Sequence, residues 1–437
     1  MRKGYGFYIK INENERKNLF MRVNTKFLVY GIVGFIVILR LMFVAYIPFG
    51  RTVRNHLEGL NDEPSHFNYV KYIAENRAFP VETHNWKDSG SLERNDFEYH
   101  QAPLFYMAGA GAYIIAGEHA AFVFCRSMSF ACGLLGLLLI ALILRKMGFD
   151  RDIQAAGVIL AGLLPVHVYF TSLASNDSMC WLFSLLTLYL CIVPCNKKPD
   201  AGFFTWKRCL SIGALTGIGT LVKASMLLWF PVAAACACYS WYIYKNKTAP
   251  IRMFVALCGA MALNIPWFLR NFVHYKSITG LAFTNGLAVS YPHLYTPEGF
   301  MIFLRLSVRF FWFPMQHILP CHAHFLLGVA GAIILGILCA LAVRYYRKTG
   351  KLSYNDVLIL CLLAVNIAGY VKYNWIWGNR EPRFLYPALL TIVFLMIVPL
   401  KKALDDIEKP GWFFPLCTIM GLFGYSYLLL TCFRSCA

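Results

Sequence analysis

Acidic residues are scarce in this chain of 437 residues: 22 Asp and Glu stand against 41 Lys and Arg, and charges of both signs make up only 14% of it. A soluble globular domain carries about 25% charged residues, so that class is excluded. CxxC pairs are missing although there are 15 cysteines, most of them inside apolar runs (Cys132, Cys236, Cys238, Cys258, Cys339 and Cys361). Such a pattern argues against a disulfide framework, and the cysteines read as small core residues. P-loop, GxSxG and HExxH strings are also missing, which removes the common sequence signals of phosphate cradles, nucleophile elbows and zinc proteases. There is no repeat of fixed period and no low-complexity tract.

What the chain has in abundance is apolar sequence. Hydrophobic residues make up 58% of it and the mean hydropathy is +0.54. Apolar runs recur from position 27 to 430, each of about 20 residues and so able to cross a hydrocarbon core of roughly 30 Å. An all-α polytopic membrane protein with about 11 spans is expected. The net charge of +19 does not point to nucleic acid, because no segment offers a contiguous basic soluble face. Much of it sits in short connections and in residues 1–26, where Arg2, Lys3, Lys10, Arg16, Lys17, Arg22 and Lys26 face only Glu13 and Glu15. That bias places residues 1–26 in the cytoplasm as a basic segment, with residues 27–437 forming one membrane domain. No cleaved leader is expected, and the first apolar run is retained as an anchor.

With the N-terminus inside, the first span (residues 27–49) delivers a long outer loop, about residues 50–120, holding Glu58, Asp62, Glu63, Glu75, Glu82, Asp88, Glu93, Asp96 and Glu98. A loop that long is usually functional. Residues 103–117 are short for a span and rich in Ala and Gly, so they are expected to lie at the interface. Residues 121–144 then form the second span, which leaves Arg145, Lys146 and Arg151 in the cytoplasm as the charge rule prefers. Residues 153–170 return to the outer face with Asn176 and Asp177. Residues 210–244 are too long for one span and are interrupted by Lys223, which predicts two short spans with Lys223 near the outer turn. A seventh span ends in NIPWFLRNFVHY, placing Arg270, Asn271 and His274 outside. Residues 273–324 read as interfacial, and a later outer loop, YNWIWGNREPRFLYP, carries Arg380, Glu381 and Arg383.

Acids and bases thus gather on one face. The stretch NDEPSHFNYVKYI, residues 61–73, sets Asp62 and Glu63 where apolar sequence gives way to a polar loop. Carboxylates at such an edge are expected to keep access to water, stay ionised and accept a proton or hold a cation. The plainer reading of Asp62, Glu63 and Asp177 is helix capping. An isolated lysine in apolar sequence costs about 2.5 to 3.5 kcal/mol at mid-membrane, so Lys223 calls for a phosphate or carboxylate partner unless it snorkels. Arg270, Arg380 and Arg383 read either as headgroup anchors or as phosphate ligands. His66 and His100 fit as partners of the carboxylates. His317, Cys321, His322 and His324 match no common zinc spacing, so the metal ligands are unknown and a divalent metal stays an open possibility.

Taken in order, DEPSH, HQAPLFY, the SND turn at Asn176 and Asp177, LVK at Lys223, PWFLRN at Arg270 and NREPRFLYPAL resemble the GT-C superfamily of membrane glycosyltransferases that use polyprenyl-phosphate sugars. The similarity is nearest to the protein O-mannosyltransferase and lipid A aminoarabinose transferase type. It implies a GT-C-like helix bundle in which Asp62, with Glu63 beside it, is the catalytic base or helps arrange the site, and Asp177 is a second acid. It also implies that Lys223 and Arg270 hold the lipid phosphate, with His66, His100, Gln101, Arg380 and Arg383 as further substrate-binding candidates. The activity implied is inverting transfer from a polyprenyl-phosphate sugar to a hydroxyl of an envelope glycan, lipid or protein. It would take place on the outer face of the plasma (bacterial inner) membrane, with no certain cofactor and no nucleotide. A transporter or flippase of lipid-linked sugars, or an inactive scaffold of the same fold, are the alternatives. The gathering of charges at one face and the large first loop favour an enzyme over a transporter.

Overall fold

The computed structural model describes residues 13–46, 63–81, 98–200, 202–280, 292–313, 323–377 and 382–425, and among them only helices and their connections occur. In chain order the helices are α1 (Glu13–Tyr46), α2 (Glu63–Asn76), α3 (Leu104–Lys146), α4 (Arg151–Leu163), α5 (Pro165–Phe170), α6 (Asp177–Cys191) and α7 (Trp206–Val222). They continue with α8 (Trp229–Tyr244), α9 (Thr248–Tyr275), α10 (Pro297–Trp312), α11 (Ala323–Thr349), α12 (Tyr354–Trp377), α13 (Leu389–Asp406) and α14 (Phe413–Phe423). Among the described residues, 6 helices are long and apolar enough to cross a membrane, and Val29–Ala45, Asp177–Cys191 and Pro410–Phe423 are shorter apolar helices. The protein is a multi-pass helical membrane protein.

Two expected segments take a different form. Residues 103–117 and 121–144 join into one helix of 43 residues, whose only non-helical position is Gly117 at φ 83° and ψ 179°. A straight helix of that length would run about 64 Å, twice the hydrocarbon core. The left-handed φ at Gly117, open to glycine and strained for other residues, turns the chain between the two halves. The half before the break packs on α2, with Val70 against Gly109. Residues 153–170 do not form one span either. They break at Leu164 (φ −59°, ψ 123°) into α4 and α5, because Pro165 has no N–H for a continuing helix and disfavours helical ψ at the residue before it.

Local chemistry accounts for the other boundaries. Asp150 caps α4 by accepting from Ile153 N at 2.9 Å. Thr296 caps α10 by accepting from Gly299 N at 3.0 Å, with Pro297 at the first helical position. α7 and α9 approach closely because small residues face each other: a Cβ on Gly213 would lie 2.5 Å from the Ala256 carbonyl oxygen. Without a hydrophobic drive between helices in lipid, such backbone proximity is a main source of association. The core gathers on α13, whose apolar window is 72% buried, whereas the window of α11 is 11% buried and lies at the periphery.

Candidate functional site

The first residue of α2, Glu63, is buried rather than water-accessible, a correction to the expectation from its loop-edge position. Arg126 of α3 grips its carboxylate from two sides, Nε donating to Oε1 at 2.9 Å and Nη2 to Oε2 at 2.8 Å. Both side chains are only 5% exposed. Ala174 N also donates to Oε1, at 2.7 Å, and Arg126 Nη1 donates to the Val44 carbonyl of α1 at 2.9 Å. A carboxylate held in a bidentate guanidinium fork plus a backbone amide has its lone pairs engaged. Glu63 is therefore an anchor that ties α1, α2, α3 and the turn before α6 together. Asp62, the residue before it, lies outside the described residues.

That turn carries Asn176 and Asp177. α7 stops at Val222 because Lys223 is extended (φ −155°, ψ 134°) before the 3-10 turn Ala224–Leu228. This swings the Lys223 amine onto Asp177 Oδ1 at 2.6 Å and Asn176 Oδ1 at 3.3 Å. Side-chain exposures of 12% for Lys223 and 4% for Asp177 mark a pair that closes the cost of an intramembrane lysine internally rather than by snorkelling. Asn176 donates in turn to the Val222 carbonyl at 2.9 Å and to Gln101 Oε1 at 2.7 Å, and Gln101 Nε2 donates to the Glu98 carboxylate. A continuous polar line runs from Glu98 through Gln101 and Asn176 to Lys223 and Asp177.

The segment 98–101 is held from behind. Arg270 Nη1 donates to the Tyr99 carbonyl at 3.1 Å and to Asn271 Oδ1 at 2.7 Å, and Nη2 donates to the Pro80 carbonyl. Its guanidinium lies over Trp267 and Tyr275, at 4.6 and 5.2 Å from the ring centroids. Asn271 Nδ2 donates to the His100 carbonyl at 3.0 Å. Arg270 thus acts on this loop, and the cation beside Asp177 is Lys223. Tyr69 stacks on Tyr106 at 4.1 Å and donates to the Gln101 carbonyl at 3.3 Å. Burial pushes the Tyr69 phenol well above its ordinary value, opposed by Arg270, so it remains a donor. His66 Nδ1 meets Tyr106 OH at 2.6 Å.

The structure therefore brings together Asp177, Lys223 and Gln101, with His100 in the segment 98–101, Arg270 holding that segment and His66 against Tyr106 beside it. Arg380, His317, Cys321 and His322 fall outside the described residues. Arg383 lies in the 3-10 turn Pro382–Ala388, with its side chain outside the description. Among the described residues, no group of three or more His, Cys, Asp or Glu side chains could hold a metal. Arg126, Asn176 and Glu98 were missed as partners, and so was Arg40. Arg40, fully buried in α1, donates to Thr171 Oγ1 at the start of the same turn, to His167 Nδ1 of α5 and to the Gly162 carbonyl of α4 at 3.2 Å. Arginines in apolar runs carry the same insertion cost that singles out Lys223, so the signal was present at positions 40 and 126.

Arg40→Lys is expected to lower stability by about 2 kcal/mol, because a single ammonium cannot reach three divergent acceptors. The thermal unfolding midpoint of purified protein checks this, and an unchanged midpoint would remove Arg40 as a fastening of the turn.

Residues 101–279 match the family model of dolichyl-phosphate-mannose-protein mannosyltransferases. That stretch holds Gln101, Arg126, Asn176, Asp177, Lys223 and Arg270. No curated protein matches the chain. Among solved structures, ArnT from Cupriavidus metallidurans bound to undecaprenyl phosphate is similar at 13% identity and a TM-score of 0.52, over 86% of this chain and 60% of that one. The Archaeoglobus fulgidus oligosaccharyltransferase in complex with zinc and sulfate is similar at 13% identity and a TM-score of 0.54, over 90% of this chain and 52% of that one. The same oligosaccharyltransferase tethered to an acceptor peptide containing the NVT sequon gives 13% identity and a TM-score of 0.53, over 91% and 54%. The chain spans 60% of the ArnT chain and 52% of the first oligosaccharyltransferase chain. At such identity the likeness is one of fold.

Proposed function

We propose that this chain, whose fold is that of the GT-C superfamily, is a glycosyltransferase that moves a sugar from a polyprenyl-phosphate donor to an acceptor hydroxyl. The acceptor class is an envelope glycan, lipid or protein, and the site faces outside across a plasma (bacterial inner) membrane. The observation that carries the reading is the Lys223–Asp177 pair at 2.6 Å, set beside the turn into which Glu63 is locked one residue from Asp62. Support comes from the mannosyltransferase family model over residues 101–279.

In this reading Asp62 takes the proton of the acceptor hydroxyl as its oxygen attacks the anomeric carbon. The bond from that carbon to the phosphate oxygen breaks, and the polyprenyl phosphate leaves with the electron pair. A single displacement inverts the anomeric centre. Lys223 supplies positive charge to the leaving phosphate, where charge develops, and Asp177 aims the amine. Gln101, His66 and His100 shape the donor pocket, and Arg270 holds its wall. Arg380 and Arg383 are further candidates for the phosphate.

The test is reconstituted protein supplied with a labelled polyprenyl-phosphate sugar, reading sugar release and transfer. Lys223→Ala is expected to weaken donor binding roughly tenfold or more, the worth of a charge-assisted hydrogen bond, and Lys223→Arg to keep part of it. Asp177→Asn, which leaves the amine in place, is the control for loss of the buried pair. Unchanged donor affinity in a folded Lys223→Ala protein would sink the phosphate role. Movement of the intact donor across the bilayer without sugar release would favour the transporter reading.

A further inference from the structure

The end of α11 lies far from this site. Lys348 pairs with Asp406 at the end of α13 at 2.7 Å, and Lys401 of α13 is 4.0 Å from Asp152 in the first turn of α4. α4 follows the end of α3 after the short connection 147–150, and it is the beginning of α3 that adjoins the site. There, Ala340, Val343, Arg344, Arg347 and Lys348 line an open groove of about 590 Å³.

We propose that this groove binds an anionic phospholipid, with the phosphate held by Arg344 and Arg347 and one acyl chain lying along α11. Arg344 and Arg347 make no ion pair among the described residues, whereas Lys348 is already joined to Asp406, which also takes Lys402 at 3.3 Å. Two free guanidiniums flank an apolar floor, the arrangement that a phosphodiester with a hydrocarbon tail complements. The floor continues as a stripe: Ile333, Ile337, Ala340 and Arg344 follow at helical spacing, and Ile333 and Ile337 are 57% and 56% exposed. From Arg344 back to Ile333 the helix rises about 16 Å, roughly the depth of one leaflet. The low burial of α11 leaves that face open to a lipid chain. A headgroup at this end is separate from the lipid phosphate of the proposed reaction.

Native mass spectrometry of the full chain, titrated with phosphatidylglycerol or phosphatidylcholine, tests the site. Retention of phosphatidylglycerol over phosphatidylcholine is expected, and Arg344→Gln with Arg347→Gln should cut it roughly 25-fold, taking about fivefold per basic group. Ala340→Trp, which fills the floor without changing charge, should lower retention as well, while Lys409→Gln outside the groove should not. Equal retention by the double variant, displacement of the lipid by millimolar inorganic phosphate, or a mass equal to two copies blocked by Ala340→Trp would each overturn the proposal.

Discussion

Asp62→Asn is expected to lower sugar transfer by roughly 10²-fold or more, the usual worth of a positioned general base, while donor binding stays near wild type. The amide keeps the shape and most hydrogen bonds of the carboxylate and removes its ability to take the acceptor proton. Glu63 cannot replace it in this arrangement, since Arg126 and the Ala174 amide already hold both of its oxygens. The measurement is single-turnover transfer set against donor affinity in a purified, folded variant. If Asp62→Asn transfers sugar at the wild-type rate, Asp62 is not the base and Asp177 becomes the residue to test. Loss of activity on chelation, restored by a divalent ion, would instead bring a metal to Asp62.

Arg126→Ala should be the most damaging single change outside the reacting groups. It leaves the Glu63 carboxylate buried beside one backbone amide, and breaking a buried pair by removing one partner costs about 3–5 kcal/mol. Arg126→Ala combined with Glu63→Ala should unfold at a higher temperature than Arg126→Ala alone, because the orphaned charge is gone. Transfer should not recover in the double variant, since α2 loses its fastening to the 171–176 turn. Arg126→Lys should fall between, keeping charge and losing the fork. Equal unfolding temperatures for the single and double variants would show that the pair carries no such cost.

Much of this protein was legible in one dimension. The apolar runs fixed a polytopic helical fold, since a segment's hydropathy reports the solvent it needs. The isolated Lys223 marked the break between α7 and α8, because a lysine in apolar sequence must find water or a partner. Asn176 and Asp177 were readable as the polar start of α6. The motif order from DEPSH to NREPRFLYPAL resembled membrane glycosyltransferases, and the chain is similar in fold to the solved ArnT and oligosaccharyltransferase structures.

Other features were settled only by packing in three dimensions. Insertion cost could flag Arg40 and Arg126 but could not name His167, Thr171 or Glu63 as their partners, because those contacts join residues up to 131 positions apart. Glu63 looked like a wet carboxylate, since a loop edge predicts access to water; the fold buries it by closing α1, α2, α3 and the 171–176 turn around it. Arg270 was flagged as a phosphate-ligand candidate, and only the fold shows its hydrogen bonds to the backbone carbonyls of Pro80 and Tyr99. Sequence sets what each side chain must be paired with to stay in the membrane, whereas tertiary structure chooses the partner, because only the packed bundle sets the distances over which charges and hydrogen bonds act.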